Sequence, residues 1–94
     1  MIAIDLGPRF PLGRVVITPN AMQQVPEQDV LVALGRHGRG DWGELDEHDL
    51  KENEMSLKEG FRLLSAYRAS NGTKFWIISE ADRTVTTVLL PEDY

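Results

Sequence analysis

Between residues 61 and 90 the chain carries three apolar runs, 61–68 (FRLLSAYR), 74–79 (KFWIIS) and 84–90 (TVTTVLL), separated by two short polar breaks. Their aromatic and β-branched residues suit a pleated surface, so each run predicts a strand. The first break contains Asn71-Gly72, a pair suited to a type I′ turn because both central residues of that turn need φ > 0. A two-residue loop there sets Tyr67 opposite Trp76, Ser65 opposite Ile78, Arg68 opposite Phe75 and Ala66 opposite Ile77. Glu80-Ala81-Asp82-Arg83 forms the second break, and the whole reads as an antiparallel meander. Large apolar groups fall on both faces, which predicts helices over one and either the N-terminal arm or a second copy of the chain over the other.

Upstream, residues 1–13 hold Pro8, Pro11, Gly7 and Gly13 without periodicity and read as a loosely attached arm. Residues 14–18 (RVVIT) predict a short strand. Thr18-Pro19 supplies an N-cap hydroxyl and a proline at N1 for a short helix over 20–25. Pro26 restarts the pattern, again at N1, with Glu27 and Asp29 in the first turn and an apolar stripe of Val30, Leu31, Ala33 and Leu34. Three glycines in nine positions predict a loop over 36–44 (RHGRGDWGE). A third helix is expected over 45–60, with Asp46 at the N-cap, Asp49 three residues on, a thin apolar line of Leu50, Leu57 and Phe61, and Gly60 as the stop. The fold expected is α+β in a single domain spanning residues 1–94: a short N-terminal strand and two to three helices packed on a C-terminal three-stranded antiparallel meander.

Ninety-four residues suffice for one modest core. Cysteine is absent, which excludes disulfides, thiolate metal sites and cysteine nucleophiles. The N-terminus lacks the pattern of a signal peptide, and no apolar run reaches the roughly 20 residues of a membrane span, so a cytoplasmic location is expected. The net charge is −5, and residues 41–59 alone hold eight carboxylates against Lys51 and Lys58, a local −6. Such a block argues against generic nucleic-acid binding, which needs a basic face, and points to a protein partner.

The 36–44 loop is the most unusual stretch. Arg36, His37 and Arg39 could meet an anion there, with Asp41 and Glu44 alongside, and Trp42 either anchors a partner or folds back as a plug between helices. These two readings of Trp42 imply opposite burial. Glu47, Glu52 and Glu54 on the third helix extend the candidate binding surface. His37 and His48 near carboxylates match no closed metal-ligand spacing, so neither a metal nor a cofactor is expected. No phosphate-binding loop and no serine nucleophile elbow is present. His37, Arg62, Tyr67 and Arg68 would together supply the base, phosphate clamp and acid of a small metal-independent ribonuclease.

In the segments LGRVVITPNA, HGRGDWGELDEHD and GFRLLSAYR followed by KFWIISEADRTVTTVLLPEDY, the chain resembles a group of short bacterial proteins, often encoded on plasmids and other mobile elements. They are labelled "plasmid-related protein" or "type I restriction endonuclease subunit M". The resemblance covers roughly residues 12–94 and implies a genomic setting without an activity. The methyltransferase label fails on physical grounds, because the chain is too short for a doubly wound nucleotide-binding sheet and lacks its Gly-rich first turn. The order of helices followed by an antiparallel sheet also resembles toxins of the RelE and BrnT type, a likeness of fold alone. The leading expectation is a non-enzymatic interaction protein of mobile elements, binding a protein partner stoichiometrically through the acidic helix and the Trp42 loop. The alternatives are a small endoribonuclease or toxin-related protein, and a homodimeric structural module.

Overall fold

The computed structural model describes residues 7–94. Strand β1 (Arg14–Ile17) is followed by helices α1 (Pro19–Gln24), α2 (Glu27–Gly38) and α3 (Glu47–Glu59), then by strands β2 (Leu63–Arg68), β3 (Lys74–Ser79) and β4 (Val85–Leu89) and a 3-10 turn at Pro91–Asp93. The strands form one sheet in the order β1-β4-β3-β2. β2, β3 and β4 make the expected antiparallel meander, and β1 joins it parallel to β4, with Val16 beside Thr87.

Local sequence explains the helix starts. Thr18 caps α1 by accepting from Ala21 N at 3.2 Å, with Pro19 in the first turn. Asp46 caps α3 by accepting from Asp49 N at 2.8 Å, and Gly60 ends that helix at φ +80. Pro26 occupies the N-cap of α2, one position earlier than expected, and has no side-chain cap bond.

Alternation along the strands puts Leu63, Ser65, Tyr67, Phe75, Ile77, Ser79, Thr86 and Val88 on one inner face, where all are buried. Ala21 and Val25 from α1 and its exit, with Val30 and Ala33 of α2, pack on Phe75, Ile77 and Val88. Burying a side chain of that size contributes about 2 kcal/mol, so this layer holds the two helices to the sheet. A second cluster joins Phe10, Trp42 and Leu63, flanked by Leu12, Leu45 and Leu57.

Three expectations need correction. The hairpin loop has three residues, 70–72: Ala69 N bonds Thr73 O, and Gly72, at φ +87, bonds back to Ala69 O. Tyr67 therefore faces Phe75, Ser65 faces Ile77, Arg68 faces Lys74 and Ala66 faces Trp76, one residue off the expected register. The cause is tertiary: Asp29 at the start of α2 accepts from Ser70 N and Oγ, and Asn71 Nδ2 donates to Gln24 O, which holds the wider loop open.

Arg36, His37 and Gly38 are the last turn of α2, not loop. Burial of the His37 ring outweighs the low helix propensity of glycine there, and Gly38 lies against Pro8 and Leu12. The chain breaks only at Gly40, at φ +82.

Of the arm expected over 1–13, residues 1–6 lie outside the described residues, and 7–13 are docked. Phe10 is buried, Arg9 N bonds Gly38 O, and Arg9 forms a two-pronged ion pair with Glu54. This arm packs on the helical side of the sheet. The opposite face is covered in part by Tyr94, whose ring meets Trp76 edge-on at 5.7 Å.

Candidate functional site

Where α2, the arm and three strands meet, the inner face of the sheet turns polar. His37 is 0% exposed. Its Nδ1 lies 2.5 Å from Ser65 Oγ on β2, and its Nε2 lies 2.9 Å from Ser79 Oγ on β3. Ser79 Oγ is 2.6 Å from Thr86 Oγ1 on β4, and Thr86 Oγ1 is 2.7 Å from the carbonyl of Leu12. A carbonyl only accepts, so Thr86 donates to Leu12, Ser79 donates to Thr86, and His37 Nε2–H donates to Ser79. Nδ1 is then the bare nitrogen and accepts from Ser65. One arrangement of protons satisfies the whole chain, and among the described residues no buried side-chain polar atom lacks a partner.

Aromatic rings seal this network. Phe10 meets the His37 ring edge-on at 5.3 Å, and Trp42 does so at 5.6 Å. Burial, with the Arg83 guanidinium adding repulsion, lowers the His37 pKa from 6.5 to about 4, so the ring is neutral near pH 7. Arg83 spans Phe10 and the end of α3, its guanidinium 5.6 Å from the Phe10 ring while it donates to Ser56 O and Phe61 O.

Trp42 is 3% exposed and is therefore the plug, not an exposed anchor. Its indole Nε1–H donates to Glu54 Oε2 at 2.8 Å, and Arg9 and Trp42 together hold the Glu54 carboxyl below its ordinary pKa, Arg9 most strongly. The chain flanking Trp42 pairs with β2: Ala66 N bonds Trp42 O, and Glu44 N bonds Ala66 O. Gly43 makes this approach feasible, because at φ +77 any Cβ would overlap the Ala66 carbonyl.

The remaining candidates are dispersed. Arg36 pairs with Asp41 at 2.7 Å, which holds Asp41 low, and Glu44 pairs with Arg68 at 3.5 Å. Arg39 is exposed at the end of α2. Glu47 and Glu52 are exposed and bridge along α3, to Lys51 at 3.4 Å and His48 at 3.7 Å. Tyr67 is buried, its hydroxyl donating to Asp41 O at 2.6 Å, and burial raises its pKa to about 12. Arg62 is tied to Glu80 and to the Tyr94 hydroxyl. His37, Arg62, Tyr67 and Arg68 thus share no open surface: two lie inside and two are held in exterior ion pairs. The eight carboxylates are not one free face either, since Asp41, Glu44 and Glu54 are each engaged by an arginine.

Sequence reasoning missed Ser65, Ser79, Thr86, Asn53 and Arg83. Asn53, buried on α3, donates through Nδ2 to Leu64 O at 2.5 Å and accepts from Leu64 N at 3.2 Å, closing the outer edge of β2. The available signal was three hydroxyl residues in otherwise apolar strands, and it becomes legible once register aligns them. Among the described residues no His, Asp and Glu group could hold a metal ion, and no helix is long and apolar enough to cross a membrane. No family model, curated protein or solved structure matches the chain.

Proposed function

We propose that this protein is a non-enzymatic binding module that engages a protein partner stoichiometrically through the outer side of α3. The observation that carries this reading is Met55, 57% exposed on α3 and unused by the core. It shares its exposed side of the helix with Glu47, Glu52 and Glu59, all exposed. Phe61, just beyond the helix, is also 57% exposed. Lys51 and Lys58, one turn to either side of Met55, are exposed there too, so the anchor stands among charges of both signs with carboxylates in slight excess, which suits a partner whose apolar pocket has a mixed, mainly basic rim. The inward side of α3 is meanwhile committed to Asn53 and Leu57. The resemblance to plasmid-borne proteins supports a setting in bacterial mobile elements. The acidic block, tied though it partly is, supports a protein over a nucleic acid as the partner.

The test is affinity capture from the native host with mass-spectrometric identification, followed by titration of the purified partner against Met55→Ala and the triple variant Glu47→Lys, Glu52→Lys, Glu59→Lys. The expected result is a tenfold or greater loss of affinity for each. A partner bound equally well by both variants overturns the reading.

A further inference from the structure

The two edges of the sheet are treated differently. The β2 edge is closed twice, by the Asn53 amide on Leu64 and by the 42–44 segment on Ala66. The β1 edge has no such cover among the described residues. Arg14 N bonds Thr84 O and Thr18 N bonds Val88 O, so alternate residues of β1 point their backbone groups at β4. The N–H and C=O groups of Val15 and Ile17 then face outward. The edge carries three β-branched residues in succession and no proline, and Val15 is 43% exposed. A cavity of about 430 Å³ runs beside it, lined by Val15, Ile17, Met22, Val25, Glu27 and Val30 among others. An uncovered apolar edge of this kind is a template for another strand.

We propose that this edge pairs with the same edge of a second copy, β1 against β1 in antiparallel register about a twofold axis at Val16, joining two sheets into one of eight strands. The edge is self-complementary in that register. Val15 of each copy exchanges both backbone hydrogen bonds with Ile17 of the other, and Val16 faces Val16. An axis perpendicular to the sheet keeps Val15 and Ile17 of both copies on the helical side, where they extend the apolar lining supplied by Met22 and Val30.

Charge complementarity selects a second copy over an arbitrary peptide. The same register sets Arg14 of one copy opposite Thr18 of the other, on the face away from the helices. The Thr18 hydroxyl donates to Asp93 Oδ2 at 2.7 Å, and Asn20 donates to Asp93 Oδ1. Asp93 thus stands fixed beside Thr18, and among the described residues neither Asp93 has a cation nor Arg14 a carboxylate in ion-pair range. Twofold pairing brings these two unmatched charges together twice. Because β1 and β2 are opposite edges, a dimer of this form leaves both α3 helices free, so the proposal is independent of the function proposed above.

The test is sedimentation equilibrium up to about millimolar concentration, a range that captures weak pairs, on the full chain, Val15→Lys and Arg14→Glu, with circular dichroism confirming the fold. The expected result is reversible association from 10.6 kDa to twice that mass, weakened at least tenfold by either substitution, with Val15 and Ile17 amides gaining hydrogen-exchange protection as concentration rises. Arg14→Glu changes only an exposed side chain, so it tests the contact even if Val15→Lys disturbs the strand. A monomer at every concentration overturns the proposal. So does a dimer indifferent to both substitutions, or amide protection independent of concentration, which would place the cover within one chain.

Discussion

The Thr86 hydroxyl donates to the carbonyl of Leu12 at 2.7 Å, and that single bond sets the direction of every hydrogen bond back to His37. It ties β4 to the arm, and through Ser79 and Ser65 it ties α2 to β3 and β2. The imidazole is held as the Nε2–H tautomer at the junction of all these elements. A satisfied polar network of this kind inside an apolar core specifies one packing arrangement, because any slip of strand register strands several polar groups at once.

The first prediction concerns deletion of the ring. His37→Ala leaves Ser65 and Ser79 without their buried partner and opens a cavity, and it is expected to cost about 3 kcal/mol or more. Urea unfolding with an unchanged m-value and a lowered midpoint measures it.

The pH dependence has a definite sign. In the unfolded chain His37 takes up a proton near pH 6.5, whereas in the folded protein it does so only near about 4. Its contribution is fully present above pH 6.5 and is lost as the pH falls through that window, about 3 kcal/mol in all at 1.36 kcal/mol per unit. Stability measured from pH 7 to 4 should therefore slope downward toward acid, and His37→Gln, which keeps a donor and an acceptor, should flatten that slope. A ring signal assigned to His37 that titrates near 6.5 by NMR contradicts this assignment.

Asn53 closes the β2 edge through both halves of its amide. Asn53→Ala leaves the Leu64 backbone groups unpaired and should cost about 1–3 kcal/mol. Hydrogen exchange at the Leu64 amide should accelerate more than exchange in β3. Asn53→Asp should also destabilise, because it sets a carboxylate against the Leu64 carbonyl.

Two glycines with positive φ separate conformational strain from crowding. At Gly72 a Cβ meets nothing, so Gly72→Ala is expected to cost about 1–2 kcal/mol for the left-handed backbone alone. At Gly43 the same Cβ would overlap the Ala66 carbonyl, so Gly43→Ala adds loss of the bridge to β2 and should be clearly more damaging. Thermal melts of the two variants give the comparison.

The local signals in the sequence were decisive wherever neighbours in the chain decide the structure. Thr18-Pro19 starts α1 and Asp46 starts α3, because a cap needs only a side chain and an amide three residues on. Gly60 ends α3 for a similarly local reason, and the β-branched and aromatic runs are the strands of the meander. The sequence thus determined the α+β class and the order of its elements. Tertiary structure decided the rest. Asp29 reaching Ser70 shifted the hairpin by one residue, which local turn preference does not register. The buried ring of His37 carried α2 through Gly38, against propensity. The candidate site changed most, because its meaning depends on burial: Trp42 and His37 look the same in a sequence whether they face solvent or the core, and only the packing of Phe10 from the arm enclosed both.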